Sequence, residues 1–141
     1  MFDVLKTIDL HVKDGKMNAE DLKFYANEKP SASGALLFGA VGAIIAQSAT
    51  AKYVGSFNEN EITLWIVSNA GTPTWRKISF LFSDIIAAKV SGFWGSYTIR
   101  LFYGPKQYFD FVLPKRFRKF PDQLVSYNTI RNFLRTKYPK K

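Results

Sequence analysis

The residues with the most capacity for chemistry are the cations of Lys115-Arg-Phe-Arg-Lys119, four charges around one aromatic, followed by Arg131 and Arg135. Guanidinium and ammonium groups at this density recognise phosphates and carboxylates through charge-assisted hydrogen bonds. Beside an anionic leaflet each contributes about 1 kcal/mol. Lys106 belongs to the same excess, because residues 106–141 hold ten Lys or Arg against two Asp or Glu in a chain whose net charge is +9. The competing reading of such a run is a solvated, solubilising face.

Catalytic chemistry is thinly supplied. The chain has no cysteine, which excludes disulfides, thiolate metal sites and cysteine nucleophiles. His11 is the only histidine, so a histidine cluster for a metal is impossible. With Leu10 and Val12 beside it and no G-x-S-x-G nucleophile motif, His11 reads as an exposed strand residue rather than a base. The acidic residues Glu20, Asp21, Glu59, Glu61, Asp84 and Asp110 follow no metal-binding spacing. Asp84 reads as shaping the turn before Ile85. Asp110 reads as the exposed partner of Arg100 across a hairpin, a pair worth ~0.2 to 1 kcal/mol. The glycine pairs Gly39/Gly42 and Gly92/Gly95 lack the Lys-Ser/Thr ending of a phosphate loop. The first reads as close helix packing and the second as hairpin chemistry. Phe93 and Trp94, between the second pair, read as covering the core, with insertion into a membrane interface or a partner's pocket as the alternative. These features predict no catalytic residue, no metal and no cofactor.

Those side chains depend on the elements that carry them. Pro30 to Ala51 has no charge and lies between Lys29 and Lys52. Its strongly apolar members Leu36, Leu37, Phe38, Val41, Ile44 and Ile45 supply about −3 kcal/mol on an insertion scale, much of it offset by Gly, Ser, Thr and Gln47. Ala35, Gly39 and Ala43 recur at a spacing of four, as do Gly42, Ala46 and Thr50, which suits close backbone approach. The expectation is a Gly/Ala-rich apolar helix covered by the fold or by a partner, including a second copy, rather than a membrane span.

Before that run, Ile8, Leu10 and Val12 alternate like a strand although Phe2, Leu5, Ile8 and Val12 also fit a helix face. Asp14-Gly15 is a turn signal and favours the strand. Asn18, with Asp21 three residues on, predicts the cap of a short helix running to about Ala26. From Tyr53 the period is two. Ile62, Leu64 and Ile66 alternate with Thr63, Trp65 and Val67, which predicts a strand with both faces partly covered. Further strands are expected over Trp75 to Phe82, Ile85 to Val90, Ser96 to Tyr103 and Gln107 to Leu113, the last two joined by Gly104-Pro105-Lys106. Pro121 and Asp122 mark the start of a final helix whose stripe is Leu124, Tyr127, Ile130, Phe133 and Leu134.

An antiparallel meander closed by one amphipathic C-terminal helix is an α+β arrangement. Together, Gly34 to Ala51 with Lys52-Tyr53, the strand and turn Ile78 to Ile85, and the hairpin strands of 96–113 before the helix resemble the pleckstrin-homology-like superfold. More narrowly, they resemble small bacterial PH-like domains of unknown function, over about two thirds of the chain. The resemblance implies a partly open PH-like β-barrel over 53–141, with 1–52 as an N-terminal segment of the same structural unit. It also implies a non-enzymatic binding or scaffolding module, since such folds host many functions.

Two functions follow as expectations. The first is binding of a protein partner or an anionic membrane surface through Lys106, Lys115, Arg116, Arg118, Lys119, Arg131 and Arg135, with Phe93, Trp94, Gly39 and Gly42 as contact residues. The alternative is nucleic-acid binding by the 115–119 loop and the final helix, with Trp75, Phe93 or Trp94 stacking on bases. Met1 to Leu10 has no basic region followed by an apolar stretch, so it does not read as a signal peptide. A cytoplasmic location, with or without membrane association, is expected.

Overall fold

In the computed structural model, residues 3–28, 52–68, 70–92, 95–118 and 120–139 are described. The N-terminal segment forms helix α1, Val4–Lys13. Asp3 caps it by accepting from the Lys6 N–H at 3.1 Å. Val4, Thr7, Ile8 and His11 share its buried face while Leu10 is exposed. The helical period therefore overrides the alternation of Ile8, Leu10 and Val12 that predicts a strand. The helix expected from Asn18 to Ala26 is likewise replaced. Asn18 makes a turn instead, its Oδ1 accepting from the Glu20 N–H at 2.9 Å and its carbonyl from the Asp21 N–H at 3.1 Å. Strand β1, Leu22–Glu28, follows, with Phe24, Tyr25 and Ala26 buried.

The other strands are β2 (Lys52–Phe57), β3 (Glu61–Val67), β4 (Pro73–Leu81), β5 (Ala87–Ser91), β6 (Ser96–Gly104) and β7 (Gln107–Pro114). A 3-10 turn at Phe82–Asp84 joins β4 to β5, and helix α2, Gln123–Lys137, ends the described fold. All neighbouring strands run antiparallel in one seven-stranded sheet ordered β4-β3-β2-β1-β7-β6-β5. Among the described residues β4 and β5 do not pair, so the sheet is open. It is also rolled, because the Phe80 ring of β4 stacks 5.8 Å from Tyr103 of β6 and lies 5.8 Å from Phe109 of β7. An open seven-stranded antiparallel sheet with a C-terminal helix is compatible with a PH-like fold.

The concave face carries the main core. All seven strands contribute, with Phe24, Tyr53, Leu64, Ile78, Ile99 and Phe111 among them, and α2 closes it with Tyr127, Ile130 and Leu134. The expected stripe of α2 is the observed one, although the helix starts two residues after Pro121, with Asp122 as its N-cap. A second cluster lies on the opposite face, where Val4 and Ile8 of α1 pack with Tyr25, Val54, Trp65 and Val67. Double coverage explains why β3 is buried at six consecutive positions. Gly55 is required by proximity, since a Cβ there would stand 2.1 Å from the Phe24 ring.

Among the described residues, strands β1 and β7 pair only at Asn27↔Val112 and Glu28↔Phe111. Continuing that register would place Tyr25 opposite Pro114, which has no N–H to offer. The buried Gln123 side chain fills the ladder. Its Oε1 accepts from the Tyr25 N–H at 2.8 Å, while its Nε2 donates to the carbonyls of Tyr25 at 2.8 Å and Pro114 at 2.9 Å. One turn on, the Ser126 hydroxyl donates to the Lys23 carbonyl. The start of α2 is thus stitched to β1, which fixes the direction in which its basic residues project.

Candidate anion-binding face

The hydrogen-bonded centre of the basic face is Tyr97, at the start of β6. Its ring stacks on Tyr127 of α2, with centroids 4.6 Å apart and planes 16° from parallel. One helical turn beyond Tyr127, Arg131 donates from Nη1 to the Tyr97 hydroxyl at 3.0 Å. The guanidinium carbons of Arg131 and Arg135 stand 5.8 and 5.3 Å from the Tyr97 ring centroid. The Arg131 hydrogen bond, then that from Tyr127, hold the Tyr97 hydroxyl below the usual phenol range, with both arginine charges acting in the same direction. Burial first, then the bond to Tyr97, push Tyr127 up to about 12. Among the described residues neither arginine is paired with a carboxylate. Most of their N–H groups are therefore available to an anion.

The loop after β7 begins beside this group. The Lys115 N–H donates to the Gly95 carbonyl at 2.7 Å, two residues before Tyr97. Lys115, Arg116 and Arg118 are exposed, whereas Phe117 turns inward and stacks on Tyr25 with ring centroids 3.8 Å apart. The aromatic within the basic run is therefore its anchor. Lys106 is exposed in the β6–β7 turn, at the other end of the hairpin, and does not join the cluster. Arg135 also lines a cavity of about 340 Å³ between α2 and β5, together with Val90, Leu134 and Tyr138. Lys119, Phe93, Trp94, Gly39, Gly42 and the whole run 30–51 lie outside the described residues. Among those described, no helix is long and apolar enough to cross a membrane.

Two sequence expectations are corrected here. His11 is fully buried on α1 instead of exposed on a strand. Its ring lies 5.2 Å from Trp65 and 5.0 Å from Trp75, with Nδ1 2.7 Å from the Thr7 carbonyl. Burial lowers its pKa. Trp75 reaches it because the β3–β4 register slips between Ile66 and Val67 and Trp75 adopts φ 60°. The Arg100–Asp110 pair does form, with Nε–Oδ1 and Nη2–Oδ2 distances of 2.8 and 3.1 Å. It is half-sunk rather than exposed, the side chains being 30% and 4% accessible, and the Arg100 guanidinium stands 4.0 Å over the Tyr108 ring.

Tyr97 and Tyr127 were not marked by any motif. Their pairing joins residues from β6 and α2, and each alone is an ordinary inward aromatic. No protein-family model matches this sequence, and a search of curated proteins finds no relative.

Proposed function

We propose that the protein is a non-enzymatic binding module of the PH-like type that docks on anionic lipid surfaces through α2 and the loop after β7. The observation that carries this reading is the pair Arg131 and Arg135, held over Tyr97 with no carboxylate among the described residues to neutralise them. Exposed Lys115, Arg116 and Arg118 extend the positive field. The apolar recess beside Arg135 favours a ligand with an anionic head and an apolar body over a polyphosphate. Trp75, one of the expected base-stacking groups, is 44% exposed but packs beside His11 of α1, across the sheet from α2 and its arginines, which weakens the nucleic-acid alternative.

The test is co-sedimentation with phosphatidylcholine vesicles containing phosphatidylserine, over a series of salt concentrations. Binding at low salt should fall as salt rises. At about 1 kcal/mol per cation, the Arg131→Gln/Arg135→Gln double variant should lose roughly 30-fold in affinity. Absence of vesicle binding at low salt overturns the lipid reading in favour of a protein partner. Tighter, steeply salt-dependent binding to an oligonucleotide would instead favour nucleic acid.

A further inference from the structure

Helix α1 and the start of α2 bound a groove of about 630 Å³ on a different part of the surface. Ile8 and Phe120 form a buried apolar floor, while Leu5 and Val125 stand at its margins, 44% and 58% exposed. The polar lining has the opposite sign to the chain as a whole. Asp9, Glu20, Asp21 and Asp122 surround the groove, and among the described residues none of them is ion-paired. Lys23 also lines it, its Nζ donating to the backbone carbonyls of Asn18 and Asp21 and its charge interacting with Asp21, so one cation stands against four carboxylates. The acidic residues do not form a metal site, since no group of three or more metal-ligating side chains among the described residues could hold an ion.

The occupant follows from the elements around the groove. Its strand is β1, which is paired with β2 on one side and with β7 and Gln123 on the other, so no free edge is offered to an extended peptide. A helix brings its own backbone hydrogen bonds and needs none from the groove. Four carboxylates disfavour an anionic leaflet, and a net charge of +9 opposes approach of a second copy. We propose that this groove docks a cationic amphipathic helix of a protein partner. The apolar stripe of that helix lies on Leu5, Ile8, Phe120 and Val125, and its Lys or Arg residues face Asp9, Glu20, Asp21 and Asp122.

The probe is a fluorescein-labelled leucine–lysine amphipathic peptide of about 15 residues, titrated with the full chain and followed by anisotropy, with a leucine–glutamate peptide as control. Saturable, salt-sensitive binding of the lysine peptide alone is expected. Val125→Arg and Leu5→Arg, both at exposed positions and checked by circular dichroism, should each weaken it at least about tenfold. Asp9→Asn with Asp122→Asn should weaken it further, whereas Arg131→Gln/Arg135→Gln should leave it intact, which separates this site from lipid docking. No binding, equal binding of the glutamate peptide, or an affinity within about twofold of the parent for both Val125→Arg and Leu5→Arg overturns the proposal. Light scattering that shows a dimer lost in Val125→Arg would assign the groove to a second copy and overturn it as well.

Discussion

Replacing Gln123 with Leu tests how α2 is held on the sheet. The two side chains have similar size, so the substitution removes hydrogen bonds while creating little cavity. It leaves the buried Tyr25 N–H without its acceptor, at about 1–3 kcal/mol, and takes a donor from the Tyr25 and Pro114 carbonyls, at about 1 kcal/mol each. Burial of the Leu side chain returns about 1–2 kcal/mol. A net loss of about 2–3 kcal/mol is expected, a large share of the 5–15 kcal/mol typical of a domain. Urea unfolding measures it, and hydrogen exchange at the Tyr25 amide localises it. Gln123→Glu provides an internal control. It keeps an acceptor for Tyr25 but places a second oxygen against two carbonyls, so its carboxyl prefers to be protonated when folded. Its deficit should therefore shrink as pH falls through that raised pKa. A Leu variant within about 0.5 kcal/mol of the parent, with Tyr25 protection unchanged, would refute the ladder-filling role.

The remaining predictions concern the two faces of the sheet. Burial lowers the His11 pKa from 6.5, so the unfolded chain binds this proton more readily than the folded one. Stability should fall as pH drops below about 6.5 and level off below the folded-state pKa, and His11→Gln should flatten that part of the urea-midpoint profile. Gly55→Ala puts a methyl within 2.1 Å of the Phe24 ring and should cost about 1–3 kcal/mol by denaturant unfolding. An unchanged midpoint would show that β1 and β2 give way there easily.

The part of the fold after Tyr53 was legible because its side chains alternate. Ile62, Leu64 and Ile66, and later Ile99, Leu101, Phe109 and Phe111, keep period two over whole strands, and the α2 stripe keeps a helical one. Before Tyr53 the signals conflict. Ile8 and Val12 satisfy both periods while Leu10 fits only the strand, and the burial of Thr7, together with that of His11 against Trp65 and Trp75, decided for the helix. Asn18 and Asp21 resemble a capping pair, yet the segment after them becomes a central strand because Phe24 and Tyr25 are needed in opposite cores. The individual cations were visible in the sequence, but their grouping was not. Arg131 meets a residue 34 positions away, while Lys106 is carried off by the β6–β7 hairpin. The acidic groove was missed for the same reason, since it exists only if residues 4–13 form a helix.

The short seam between β1 and β7 has a kinetic consequence. Strands β1–β4 and β5–β7 each pair with sequence neighbours. The seam that joins these two meanders is secured by Tyr25 and Gln123, 98 residues apart. Closing so long a loop is entropically costly, so local hairpins form before it. Interactions made after the folding barrier leave the folding rate unchanged and govern escape from the native state. In a chevron experiment Gln123→Leu should therefore act on the unfolding arm, by roughly 30- to 150-fold for a loss of 2–3 kcal/mol. A ligand that clamps α2 onto β1 would prolong the life of the folded molecule without hastening its birth.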